Sequence, residues 1–182
     1  MTPLERALKE SQNIYSSMAR GIATRLYDVR KELIKDSLHG FENNAHRLED
    51  VATIRGISFI NDSRATNVNA TWYALETLRG PVIWIAGGLE SHNDYSILDD
   101  DTIGKVKALI CIGSNNNHLV SSFRHKVEFI VEAGTMSDAV TMAYNFGRPG
   151  DTVLLSPAAA SFDRFENYAD RGNQFKKAVY DL

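Results

Sequence analysis

The sequence predicts an α/β fold: an open, mostly parallel, Rossmann-like sheet of about six strands with helices on both faces, preceded by a short helical segment. Three observations predict it. Runs such as Val82-Ile83-Trp84-Ile85-Ala86 and Ala108-Leu109-Ile110-Cys111-Ile112 are apolar at consecutive positions, as strands buried on both faces are. Segments of roughly ten residues with helical spacing separate those runs, the length a parallel crossover needs. Only one hairpin signal occurs, so most strands must connect through helices and run the same way.

Taken in order, residues 13–38 carry Ile14, Met18, Ile22, Leu26, Val29, Leu33 and Leu38 at spacings close to one helix face, with Asp28 as a possible interruption. Gly40 to His46 is polar and turn-rich. The expected division is therefore a helical segment plus linker over 1–43, too short to enclose a core of its own, and an α/β domain over 44–182. Leu48 to Ile54 and Ile57 to Ile60 flank Arg55-Gly56 and predict a β-hairpin. Asn67 to Leu78 is a helix, Val82 to Ala86 a strand, Leu98 to Lys107 a helix and Ala108 to Ile112 a strand. His118 to Arg124 is a short helix, Val127 to Val131 a strand, Ser137 to Phe146 a helix and Thr152 to Ser156 the last strand. Arg164 to Tyr180 closes the chain as a helix, with Phe165, Tyr168, Phe175 and Val179 on its apolar face.

Composition narrows the class. Of 182 residues 43% are hydrophobic and 24% charged, ordinary for a globular chain that buries a core. The net charge is −3 and the basic residues are scattered, so no nucleic-acid footprint is expected. The single Cys111 excludes an internal disulfide and fits a reducing compartment. No apolar run reaches the roughly 18 residues of a membrane span and no signal-peptide pattern opens the chain, so a cytoplasmic protein without membrane contact is expected. His39, His92, His118 and His125 show no ligand spacing, and no metal is assigned to them.

In such a sheet ligands bind beyond the carboxyl ends of the parallel strands. Three loops there are unusual: Asn61-Asp62-Ser63-Arg64-Ala65-Thr66-Asn67, Gly87-Gly88-Leu89-Glu90-Ser91-His92-Asn93-Asp94, and Ser156-Pro157-Ala158-Ala159-Ala160-Ser161-Phe162-Asp163. Thr66 or Asn67 is expected to cap the helix from Val68, and Ser161 or Asp163 the final helix. Each helix start is then a candidate seat for a carboxylate or phosphate, although such residues are more often plain caps than ligand contacts. Gly87-Gly88 lacks the spacing of a dinucleotide fingerprint, which leaves an NAD-type binder as the weakest option. Residues alone imply an anion-binding α/β domain of open chemistry.

Longer blocks are more specific. His46-Arg47-Leu48-Glu49, Asn61 to Asn67, Leu154 to Asp163, Phe165-Glu166-Asn167-Tyr168 and Arg171-Gly172-Asn173-Gln174-Phe175 resemble the Mur ligase family, in order and with matching separations. Asn13-Ile14-Tyr15 is similar to that family's asparagine-rich helix start. The resemblance implies the C-terminal part of an ATP-dependent amide ligase of peptidoglycan precursor synthesis. In the whole enzyme ATP would phosphorylate a carboxylate of UDP-N-acetylmuramoyl-L-alanine, D-glutamate would attack it, and Mg²⁺ would neutralise the phosphates. ATP and Mg would be held mainly by a central ATP-binding domain, of which the helical segment over 1–43 would be a remnant. By position, Arg47 would reach the phosphates, Asp62 the ribose and Asn13 the adenine. Arg64, Thr66, Ser161, Phe162 and Tyr168 would line the D-glutamate site, and His46 would orient the reacting groups with Arg47.

The departures also carry meaning. Arg64 stands where the family has lysine, and a planar fork is no simple replacement for an ammonium. Glu90 and Ser91 occupy a loop that usually brings a lysine to the substrate, Gln12 and Ser16 replace a histidine and an asparagine, and Ala159 replaces a cysteine. No glycine-rich phosphate loop ending in Lys-Ser/Thr occurs in the chain, so it is expected to be inactive alone. A family domain that has lost its site and acts as a non-catalytic binding or structural module is the competing expectation. A monomer or weak dimer is expected, the latter if apolar surface on the first helices is left uncovered.

Overall fold

The computed structural model describes residues 25, 28–33, 45–89 and 93–182. The chain divides into two units, Met1–His39 and Gly40–Leu182. In the first, residues 28–33 are helical, with Val29 and Leu33 exposed. Asn13, Glu90 and Ser91 lie outside the described residues, as does most of the helix expected over 13–38.

The second unit is a six-stranded sheet. Strand β1 (Glu49–Ile54) turns through Arg55 and Gly56, both at positive φ, into the antiparallel β2 (Ile57–Asn61). Then follow α1 (Val68–Thr77), β3 (Val82–Ala86), a 3₁₀ turn (Tyr95–Ile97), α2 (Asp100–Ile103) and β4 (Val106–Cys111). The chain continues with α3 (Asn117–Phe123), β5 (Phe129–Glu132), α4 (Met136–Phe146), β6 (Thr152–Leu155) and α5 (Tyr168–Tyr180). The strand order is β1-β2-β6-β3-β4-β5, and all pairs but β1–β2 are parallel. No helix of the described residues is long and apolar enough to cross a membrane.

Alternation along the strands divides the core between two faces. Ile83, Ile85, Val153 and Leu155 join Met136, Val140, Phe175 and Val179 in one cluster, which packs α4 and α5 on one side. Trp84 points the other way and meets Phe123 edge to face at 5.4 Å. Helix α1 packs against α2 and the 3₁₀ turn, whereas α5 packs on β1 and β2. The chain thus leaves β2 toward one set of helices and leaves the adjacent β6 toward the other. Divergent exits between neighbouring strands open a crevice at their carboxyl ends, the place where open α/β sheets bind ligands.

Two expected helices change. Leu98 to Lys107 is not one helix: Asp94 caps the 3₁₀ turn through Ser96 N–H, and Asp99 caps α2 through Thr102 N–H. Two caps five residues apart start two short turns, and buried Val106 already belongs to the sheet, paired with Val82. The last helix begins at Tyr168, not Arg164, because Asn167 accepts hydrogen bonds from Ala169 and Asp170 N–H. Ser161 and Asp163 therefore do not cap it. Phe165 is buried ahead of the helix, and Tyr168 is 37% exposed instead of lying on its apolar face.

Candidate functional site

The loop after β2 is built around Asn61, which is fully buried. Its Oδ1 accepts the Ser63 N–H at 3.1 Å, which fixes the orientation of the amide. The amide nitrogen must then face His46 Nδ1 at 2.9 Å and Glu49 Oε2 at 3.0 Å. Glu49 Oε2 also accepts the His46 N–H at 2.9 Å, and Glu49 Oε1 pairs with Lys176 of α5 at 3.0 Å. His46 holds a left-handed backbone at φ 64°. Burial lowers its pKa, Lys176 lowers it further, and Glu49 opposes both.

Asp62 is 1% exposed at the end of β2. One carboxylate oxygen accepts Ser156 Oγ–H at 2.9 Å, from the end of β6, and the other accepts Leu48 N–H at 3.3 Å. Burial pushes its pKa up to about 7, against the pull of Arg47, Ser156 and the Leu48 amide. Arg47 is itself 8% exposed, and its Nη2 is buried without a hydrogen-bond partner. A guanidinium nitrogen taken from water and left unpaired costs free energy unless an acceptor arrives.

Arg171 ties the loop after β2 to the loop after β6. It is 0% exposed, and it donates from Nε to Ser63 Oγ at 3.0 Å, from Nη2 to Ser63 O at 2.9 Å and from Nη1 to Ala159 O at 3.1 Å. Burial lowers its pKa to about 10, opposed by Asp163. Ser63 Oγ donates onward to Tyr168 O at 2.7 Å, and Ala158 N–H reaches Ala65 O at 3.0 Å. The loop after β3 joins at Leu89, whose N–H donates to Ala160 O at 2.8 Å. Gly88, at φ 146°, allows this: a methyl group there would run into Ala160 O.

The structure brings His46, Arg47, Asp62, Arg64 and Tyr168 together around this loop. The His46 and Tyr168 rings meet edge to face at 6.2 Å, and exposed Arg64 lies over the Tyr168 ring at 5.8 Å. Thr66 is exposed and does not cap α1; Asn67 does, accepting Ala70 N–H at 3.0 Å. Ser161 is buried within a turn, its carbonyl accepting Arg164 and Phe165 N–H, while the neighbouring Phe162 is 71% exposed. The second anion seat expected at the final helix start is thus a turn ahead of that helix. Among the described residues no group of three His, Cys, Asp or Glu side chains converges to hold a metal ion.

Sequence reading assigned no role to Arg171, Ser156, Glu49, Lys176 or Gly172. A signal existed for Arg171: it stands four residues before Phe175 and eight before Val179, on the buried stripe of α5. No local pattern marks Gly172, whose use is a long-range approach. A methyl group there would run into His46 Nδ1. Alanine gains roughly 1 kcal/mol of helix propensity over glycine, yet Gly172→Ala is expected to destabilise by about 1–3 kcal/mol through overpacking. Urea unfolding of Gly172→Ala with and without His46→Ala checks this, since the penalty should vanish once the ring is gone.

Residues 46–159 match the family described as "Mur ligase, glutamate ligase domain". The chain is 47% identical over 176 residues to the UDP-N-acetylmuramoylalanine–D-glutamate ligase of Porphyromonas gingivalis, covering 97% of this chain and 39% of that protein. It is 48% identical over 182 residues to the enzyme of the same name from Christiangramia forsetii, covering 100% of this chain and 41% of that protein. A crystal structure of the MurF ligase from Thermotoga maritima in complex with ADP is similar at TM-score 0.47 and 11% identity, over 79% of this chain and 33% of that one. The chain thus spans about two fifths of the length of the curated relatives it matches. With a family match over most of the sheet and identities near one half along its whole length, the chain belongs to the Mur ligase family.

Proposed function

We propose that this chain supplies the nucleotide-contacting and D-glutamate-binding part of an ATP-dependent amide ligase of peptidoglycan precursor synthesis, acting in the cytoplasm. The observation that carries the proposal is Arg47. Its guanidinium acts electrostatically on Asp62 at the end of β2 and is 8% exposed, with Nη2 buried and unpaired. A phosphate oxygen is the acceptor that fits, because a guanidinium recognises phosphate through a charge-assisted fork. Asp62 lies beside it, and its 3.3 Å bond from Leu48 N–H is long enough to be exchanged for a better donor such as a ribose hydroxyl.

Each residue then has a physical task. Arg47 binds and orients a phosphoryl group, and Asp62 fixes the sugar. Arg64 and Tyr168 form a cationic and aromatic corner for a carboxylate, with Thr66 exposed nearby in sequence and Ser161 and Phe162 on the loop after β6. Bound ATP would supply the phosphoryl group that makes a carboxylate of UDP-N-acetylmuramoyl-L-alanine reactive toward the D-glutamate amine. The residues described here position that chemistry; Mg²⁺ and the triphosphate are expected to be held mainly by the rest of the enzyme. Alone, the chain is expected to show no ATP turnover.

Calorimetric titration of the chain with ADP tests the reading. Binding is expected to be weak, and Arg47→Met is expected to weaken it at least tenfold. That corresponds to about 1.4 kcal/mol, within the range for losing one charge-assisted hydrogen bond. An affinity unchanged by Arg47→Met would remove the nucleotide assignment. If neither ADP nor D-glutamate binds, the reading as a non-catalytic module, favoured by Glu90 and Ser91 in place of the family lysine, takes its place.

A further inference from the structure

We infer that Asn61, Glu49 and Lys176 are positioning residues that hold His46 as a neutral ring with its proton on Nε2, ready to donate to an anionic ligand at this edge of the sheet. The inference deepens the ligase reading and rests on it for the identity of the ligand. The tautomer itself follows from the hydrogen bonds alone.

Asn61 decides the direction of the chain of bonds. Its Oδ1 is committed to the Ser63 N–H at 3.1 Å, so the opposite end of the amide, a pure donor, faces His46 Nδ1 at 2.9 Å. Nδ1 must accept, which leaves the ring proton on Nε2. The second hydrogen of the same amide goes to Glu49 Oε2 at 3.0 Å, and that oxygen also takes the His46 backbone N–H at 2.9 Å. Glu49 thereby holds both the amide and the left-handed turn that carries the ring. Lys176 holds Glu49 from α5 through Oε1 at 3.0 Å. Gly172, also on α5, closes the back of the site, because any side chain there would occupy the position of Nδ1.

Burial and the charges around the ring together act in the same direction. Glu49 on β1 and Lys176 on α5 flank it, and Arg64 lies over the Tyr168 ring, which stands nearly perpendicular to the imidazole. Glu49 favours the imidazolium, but burial and Lys176 disfavour it more, and the pKa is lowered. Protonation at Nδ1 would also place hydrogen against hydrogen toward the Asn61 amide. The ring is therefore a donor through one nitrogen and an acceptor through the other, a fixed orientation that a free histidine does not have. Nε2 makes no hydrogen bond among the described residues.

Long-range proton–nitrogen correlation spectra of the whole chain, with the His46 signals assigned by His46→Gln, read the tautomer directly. At neutral pH the Nε2–H form is expected for His46. Asn61→Asp replaces the donor with an acceptor and is expected to move the proton to Nδ1 and raise the His46 titration midpoint by at least one unit. Lys176→Met, at a partly exposed position, is expected to keep the tautomer and raise the midpoint, and it serves if the Asn61 variant does not fold. An Nδ1–H ring in the unmodified chain, or a midpoint unmoved by Lys176→Met, would overturn the inference. Adding ADP separates the two levels. A shift confined to Nε2 supports the donor role, a shift at Nδ1 alone refutes it, and no binding at all counts against the nucleotide assignment while the tautomer still decides the positioning roles.

Discussion

Replacing Arg171 with methionine is expected to lower the unfolding free energy by about 3–5 kcal/mol, the range for breaking a buried, hydrogen-bonded charge site. Methionine keeps the aliphatic bulk of a side chain that is 0% exposed, so the loss comes from polarity and not from a cavity. Three bonds disappear together, to Ser63 Oγ, Ser63 O and Ala159 O. Each buried carbonyl left without a donor costs roughly 1–3 kcal/mol. Asp163 also loses the charge that faces it. Arg171→Lys is expected to recover less than half of the loss, because an ammonium cannot span two loops with a planar fork. Urea unfolding of both variants measures this. A methionine variant within 1 kcal/mol of the unmodified chain would show that the two loops hold together without the guanidinium.

Asp62→Asn is expected to change how stability depends on pH. The folded carboxyl has a pKa near 7 against an ordinary value of 3.8. The folded state therefore holds a proton that the unfolded state has released between those two values, and stability falls as pH rises through that window. The stability tied to that proton is full below about pH 4 and gone above about pH 7. One pKa unit corresponds to about 1.4 kcal/mol, so the window spans at most roughly 4 kcal/mol. His46 works in the opposite sense: its lowered pKa makes it a group whose stabilisation is lost as pH falls. Only the difference between the two proteins isolates Asp62. Relative to the unmodified chain, Asp62→Asn should gain stability from about pH 4 to about pH 7 and hold that gain above it. Equal slopes in denaturation midpoints across that range would mean that the buried carboxylate is fully compensated by Arg47 and Ser156.

These two residues show why the site was only partly legible. Asp62 could be found from sequence because it stands in a polar loop directly after an apolar strand, and strand-to-helix turns are where this fold places ligand chemistry. Arg47 stood out only through the family resemblance, since a His-Arg pair after a turn is ordinary on its own. Arg171 was hidden in plain helical spacing, and Ser156 looked like the end of a strand. The misplaced start of the final helix has a related cause. Ser161, Asp163 and Asn167 are all competent caps, and the choice among them was made by the turn that buries Ser161 and Phe165.

By itself, the sequence determined the sheet: which segments are strands, which faces are buried, that one hairpin precedes a parallel series, and which three loops share an edge. Those properties follow from side-chain periodicity and turn chemistry, which act over a few residues. Only the tertiary structure decided what crosses between loops. The strand order that sets β6 between β2 and β3, the contact of Gly172 with His46 and the bonds of Arg171 to Ser63 each join residues about seventy or more positions apart. Nothing local encodes such pairings, because they exist only once the core has closed and the polar groups left at its edge must find one another or remain unpaired.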